Sequence, residues 1–231
     1  MEIIMIIKVK IPPHVLILAG LLTIMTGCRK EDKPLDPVVD IDGNAYKTVN
    51  INSRIWMNEN LRTTRYNDGR DIPLTADADN WNNLVSDGFC WYNNDASNKD
   101  TYGALYNGYA IVTGNLCPAG WHVPSIEEWR ELSTVLGDSA TAGGKMKEAG
   151  TDHWLSPNKG ADNSSGFNGL PSGIRYFEGT FTSIQTYTAI WSSTESVGDD
   201  LWSAGLYYAE SGLTMNHKSK KYGFSVRCIK D

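Results

Sequence analysis

The sequence predicts an α+β fold: two helices packed on a small, twisted, mostly antiparallel sheet, with long ordered loops. Three observations lead there. Helical patterning is confined to two stretches, one after Pro124 and one after Gly143. The rest of the chain is short apolar segments interrupted by Gly, Asn and Asp, residues that favour turns. The chain from residue 28 to residue 231 is long enough to bury one core of its own.

The first element is not part of that fold. Lys8 and Lys10 precede an apolar run, Val15 to Met25. A bilayer core needs about 20 apolar residues, so this run is too short to span one and fits a secretory signal. It ends in Met25-Thr26-Gly27-Cys28, small residues before a cysteine, which resembles a bacterial lipobox. That predicts cleavage after residue 27 and a lipid anchor on Cys28. Residues 28–37 carry charge and two prolines, the composition of a tether. Lys30-Glu31-Asp32 resembles the short signal that sends Bacteroidetes lipoproteins to the outer face of the outer membrane; a solvated linker facing the periplasm is the alternative.

Residues 38–231 are then read as one domain. Val38 to Ile41 and Ala45 to Ile51 form a hairpin about Asp42-Gly43, where Asp-Gly supplies the positive backbone angles of a tight turn. Arg54 to Leu61 is a further strand. From there to Gly114 the chain is loop-like, with Trp81, Trp91, Tyr92, Tyr102, Tyr106 and Tyr109 pinning it to a core. Ser125 and Glu128 have the spacing of a capping box, and Trp129, Leu132 and Leu136 then fall on one helical face. Gly137 ends that helix, and a shorter one runs over 144–149. Strands follow over 167–173, 176–181, 189–194, 202–208 and 222–229, the last with Phe224, Val226 and Cys228 alternating onto one side.

Charge and motif exclude several functions. The net charge is −6, one unit more acidic once residues 1–27 are removed, with no basic run, so nucleic acid is not a partner. Glu127 and Glu128 are adjacent in a first helical turn and do not converge on one substrate atom; Glu128 is assigned to the cap. His122, His153 and His217 are widely spaced, with no HExxH, CxxC or phosphate loop, and are expected to be hydrogen-bonded structural residues. Calcium needs six to eight oxygens. Asp77 with Asp79, and Asp95 with Asp100, are weak candidates for it, since neither stretch completes a calcium-loop spacing; Asx turns are the plainer reading, and no cofactor is expected. Asn163-Ser164-Ser165 and Asp138-Ser139-Ala140 match three-residue glycosylation patterns that recur by chance.

Seven segments together carry a resemblance: "IWMNENLRTTRYNDG", "YGALYN", "NLCPAGWHVPSIEEWREL", "GGKMKEAG", "HWLSPNKGADNSSGFNGLPSG", "WSSTES" and "YGFSVRCIKD". In order and spacing they resemble the Fibrobacter succinogenes major paralogous domain of secreted proteins and lipoproteins, from about Asp40 to the last residue. That family resembles in turn the formylglycine-generating-enzyme-like branch of the C-type-lectin fold, with parallels at Val123 to Trp129 and Gly223 to Arg227. The resemblance implies a C-type-lectin-like architecture, and with it a Cys117–Cys228 disulfide that leaves Cys90 a buried free thiol; three reduced thiols are the alternative. It does not imply catalysis, because the oxidase needs a second cysteine near Cys228. Calcium-dependent sugar binding lacks its Glu-Pro-Asn or Gln-Pro-Asp loop, and Ser192 and Ser193 follow Trp191 where a carboxylate would stand. The expectation is a non-enzymatic, surface-anchored binding module, its partner a polysaccharide or glycan or another surface protein. Two alternatives are a structural subunit of a surface complex and an enzyme with an unrecognised site.

Overall fold

The computed structural model describes residues 36–231; Cys28, the signal and Lys30-Glu31-Asp32 lie outside the described residues. In chain order the elements are β1 (Val38–Val39), β2 (Ala45–Tyr46), β3 (Thr48–Ile51), β4 (Arg54–Met57), α1 (Ala78–Asn83), β5 (Phe89–Cys90), α2 (Lys99–Tyr102), β6 (Leu105–Asn107), α3 (Gly108–Ile111), β7 (Trp121–His122), α4 (Ile126–Val135) and α5 (Ala142–Met146). Then follow β8 (Ser172–Arg175), β9 (Phe181–Ile184), β10 (Tyr187–Glu195), β11 (Asp200–Tyr207), β12 (Leu213–Ser219), β13 (Gly223–Phe224) and β14 (Ile229–Lys230).

These elements make a mixed α+β fold dominated by open sheets. One sheet has eight strands in the order β12-β11-β10-β8-β13-β6-β5, with β9 on β8; a second has four, β3-β4-β14-β7; β1 and β2 pair alone. Pairing is antiparallel except for β10 with β8. β14 sets Ile229 between Trp56 on β4 and His122 on β7, so the end of the described chain closes on its beginning. Among the described residues no helix is long and apolar enough to cross a membrane.

Five expectations need correction. Helical structure is not confined to two places: α1, α2 and α3 and two 3₁₀ turns, Tyr92–Asn94 and Ala96–Asn98, occupy the segment read as loop. They have three to six residues, too short for a 3.6-residue period to show; α1, α3 and the second 3₁₀ turn are started by side-chain caps from Asp77, Asn107 and Asp95. The main sheet is also larger than expected, because β12 was not foreseen. The second helix is Ala142–Met146 rather than 144–149. Gly143 and Gly144 lie inside it because loops cross them closely: a Cβ would fall 2.0 Å from the Gly212 carbonyl oxygen and 2.4 Å from that of Gly160. Residues 176–180 form a turn before β9, with the Gly179 amide donating to the Tyr176 carbonyl. The terminal stretch is buried on both sides, since Ser225 and Arg227 are as enclosed as Phe224, Val226 and Cys228.

Two large apolar clusters flank the main sheet. One gathers Tyr106, Trp191, Phe224, Val226 and the cysteines Cys117 and Cys228. The other packs α4 and α5 through Trp129, Leu132 and Met146 onto Trp56, Trp154, Phe167, Ile190 and Leu206. Burial of such aromatic and branched side chains, each about 1.5–3 kcal/mol, is the main drive for this arrangement.

Candidate functional site

Alternation along β10, β11 and β12 gives the sheet two unlike faces. Ile190, Ala204, Leu206 and Leu213 point to the α4–α5 side. Tyr187, Ser203, Tyr207, Thr214, Asn216 and Lys218 line the opposite side, where they bound an open cleft of about 400 Å3. The register is direct: Tyr187 pairs with Tyr207, Gly205 with Thr214, and Ser203 with Asn216. The far wall comes from Ile174, Tyr176, Ser183, Tyr222 and Phe224.

The floor depends on one missing side chain. A Cβ on Gly205 would sit 2.4 Å from the Tyr187 hydroxyl, 3.0 Å from its Cε2 and 2.6 Å from Thr214 Oγ1. Tyr187 therefore lies across β11, over the bare backbone of Gly205, with its hydroxyl against Thr214. The ring packs against the core cluster and lines the cleft. Tyr176 and Tyr222 stand together with ring centres 5.4 Å apart, and Tyr222 rests on Phe224 at 5.5 Å. Tyr207 is 38 % exposed at the rim. Burial pushes the Tyr187 hydroxyl up from its usual pKa, so it remains a neutral donor and acceptor at neutral pH.

The turn after β11 carries Tyr207 and Glu210 to the cleft and is held from beneath. Lys147 Nζ, fully buried, donates to the carbonyls of Tyr207 at 3.1 Å, Glu210 at 2.8 Å and Lys159 at 3.0 Å. Burial draws its pKa down to about 8.

The residues singled out from sequence lie elsewhere. Ser125 and Glu128 form the expected capping box at the start of α4: the Glu128 amide donates to Ser125 Oγ at 3.3 Å, and the Ser125 amide to Glu128 Oε2 at 2.9 Å. Ser125 Oγ itself donates to Glu128, so it is no free nucleophile. The carboxylate also meets His122 Nε2 at 3.1 Å, and His122 Nδ1 lies 2.7 Å from Asp231. Burial favours the neutral acid, but bonds from Ser125 and His122 outweigh it and hold the Glu128 pKa below its usual value. The hollow beside Glu128 and Arg54 is about 10 Å3, room for roughly one water. Glu127 is exposed and paired with Arg130.

Cys117 and Cys228 are joined by a disulfide, and Cys90 is a buried free thiol whose pKa burial pushes up to about 12. His153 contacts Glu148 at 2.9 Å and His217 contacts Asp200 at 2.7 Å, so each described histidine meets a carboxylate. Asp77 caps α1, Asp79 lies in its first turn, and Asp95 caps a 3₁₀ turn. Asp100 is exposed beside Arg62. Among the described residues no group of three or more carboxylates, histidines or cysteines comes together to hold a metal.

The cleft itself was missed, because its tyrosines lie far apart in sequence and β12 read as nothing. A signal was there: in "LTMNHKS" the apolar Leu213 and Met215 alternate with the polar Thr214 and Asn216, the pattern of a strand with one dry face.

The model of the Fibrobacter succinogenes major domain matches residues 49–230. The chain belongs to that family. No curated protein and no solved structure matches the chain. The matched span of the Fibrobacter succinogenes major domain holds the cleft, the α4 cap and both bridged cysteines, while β1 and β2 precede it.

Proposed function

We propose that this Fibrobacter succinogenes major domain is a non-catalytic saccharide-binding module, displayed on the outer membrane by a lipid anchor at Cys28. The observation that carries the reading is a cleft lined by Tyr176, Tyr187, Tyr207 and Tyr222 beside short hydroxyl and amide side chains, together with the charged Glu210 and Lys218. A sugar ring has an apolar face and a hydroxylated rim. The electron-rich face of an aromatic ring complements the first, and Ser203, Thr214, Asn216 and Ser183 complement the second. Such a concave site with a few fixed polar groups is the usual form of a small-molecule site. Glu210 is the one carboxylate lining it, so the paired carboxylates of sugar-bond hydrolysis do not meet there, which favours binding over turnover. The architecture is proposed to be C-type-lectin-like, supported by the pairing of β14 with β4 and by the cysteine bridge in the same region. The site proposed needs no calcium.

The test is a glycan array with the purified protein, with and without chelator. Tyr207→Ala and Tyr222→Ala should each weaken the best hit about tenfold or more, in line with the loss of about 1.4 kcal/mol or more expected for one aromatic contact. Binding that survives both variants, or that vanishes with chelator, overturns the reading. For the address, Cys28→Ala should release the protein from membranes, and protease applied to intact cells should remove the wild-type domain.

A further inference from the structure

The tyrosine cleft does not end at the β11–β12 turn. Glu210 and Thr214 border both it and a second depression of about 460 Å3 that passes Lys159, Ser211 and Ser139. Ser139 in turn borders a third, of about 330 Å3, between Arg130, Asp138 and Met215. Each is the size of a site for one small ligand, about 300–1,000 Å3. Shared lining residues set the three side by side, from the face of the main sheet, past the β12 end, to the flank of α4.

The floor of that path is built and not loosely exposed. The turn that separates the first two depressions is tied down by Lys147 through two of its carbonyls. The far side is fixed to the same hairpin, because the Leu213 amide donates to the Ser139 carbonyl at 2.8 Å. The Gly144 amide donates to the Ser211 carbonyl at 2.7 Å, which holds the middle section against α5. A path with this support keeps its shape before a ligand arrives, so little ordering cost offsets each contact.

Its charges are mixed along its length: Lys218, Lys159 and Arg130 stand against Asp138 and Glu210, which borders both of the first two depressions, and Arg130 is already paired with Glu127. An anionic polymer would meet an acid in each section, and a cationic one a base. A neutral, hydroxyl-rich chain meets donors and acceptors throughout.

We infer that the domain binds the interior of a neutral polysaccharide chain along this three-part path, with the tyrosine cleft as the anchoring section. This rests on the saccharide reading of that cleft and extends it from one sugar position to a run of consecutive ones. Affinity then grows with chain length until the path is filled, and a free chain end is not required.

Size ladders of neutral hexose oligomers, two to eight units of cello-, laminari-, malto- and manno-oligosaccharide, test this by calorimetry on the purified protein. In the series that binds, affinity should rise at least tenfold from dimer to hexamer and then level off. Lys159→Ala and Arg130→Ala should each weaken the hexamer about threefold or more and leave the dimer unchanged, while Tyr207→Ala weakens both. Reducing the chain end to its alditol should leave hexamer binding unchanged. A series that binds through Tyr207 with no gain beyond the dimer, or with no effect of Lys159→Ala and Arg130→Ala, overturns the extended path and leaves the cleft reading intact. No binding by any member of the four series overturns the extended path, and the glycan array then decides the cleft reading by itself.

Discussion

Arg227 is enclosed on all sides, and its guanidinium donates to the carbonyls of Met57, Phe167 and Asn168 and to the amide oxygen of Asn60. Arg175 does the same for Thr75, Ala76, Asp77 and Gly179, and Lys147 for Lys159, Tyr207 and Glu210. These buried cations meet carbonyls where carboxylates would be expected. The reason lies in the chain: long loops cross the core, and their carbonyls lack the ladder partners that helices and strands supply. A forked, always-charged donor satisfies several of them at once. Burial lowers the Arg227 pKa, yet every acceptor around it favours the charged form. Arg227→Lys keeps the charge and loses the fork, so it should cost about 3 kcal/mol or more, by urea unfolding, as broken buried polar networks do. A cost under about 1 kcal/mol would show that the loops are held by packing alone. At this scale the sequence was legible only where partners are close along the chain. Ser125 and Glu128 stand three apart and were recognised as a cap; the contact from His122 to Asp231 spans 109 residues and was not.

Helix α4 shows what a local signal can specify. Its box, its apolar face and its end were all present in one short run, and the structure places the helix at Ile126–Val135. Ser125→Ala should cost about 1 kcal/mol, measured by urea unfolding. The saccharide binding proposed for the cleft should not change, since Ser125 and Glu128 lie outside it. The short helices α1 to α3 gave no such signal, because their stability comes from tertiary contacts: Trp81 of α1 is buried and its Nε1 donates to the Lys221 carbonyl at 2.9 Å. The β11–β12 turn is likewise set from outside, by Lys147. That makes a pH prediction. The unfolded chain keeps the Lys147 proton to its ordinary pKa of 10.5, whereas the folded protein releases it at about 8. Between those values the unfolded state binds more protons, so stability should rise with pH. Tyr46 and Tyr66 have raised pKa values in the folded state, so they lower stability once unfolded tyrosines ionise above about pH 10. Cys90 works against the rise from about pH 9, since burial raises its thiol from 9.0 to about 12. It does so equally in a Lys147 variant, so the test is a difference between two proteins over about pH 8 to 9.5. Wild-type protein should gain roughly 1–2 kcal/mol there relative to Lys147→Met. Parallel stability curves for the two proteins would remove Lys147 as the source.

The molecule as a whole is closed by its last segment. β14 pairs with β4 and β7, the Leu61 amide donates to the Val226 carbonyl, and Cys228 reaches Cys117 just before α4. The family resemblance carried that closure, since no spacing along the chain reveals which residues meet across 111 positions. The bridge sits inside the larger cluster with Trp191 and Phe224. It cross-links the unfolded chain over a loop that, in the chain-entropy model, is worth about 4–5 kcal/mol. A domain's whole net stability is about 5–15 kcal/mol. Cys117→Ala with Cys228→Ala should therefore lower the urea midpoint sharply and leave the fold marginal, and Cys90→Ala, which removes only a buried thiol, should change it far less. Alkylation separates the two roles. Native protein should label no cysteine among residues 36–231, because Cys90 is buried with its pKa near 12. Unfolded without reductant it should label Cys90 alone, and with reductant all three. Labelling of Cys117 and Cys228 without reductant would mean that packing of the two thiols, and no covalent bond, holds the last strand in place.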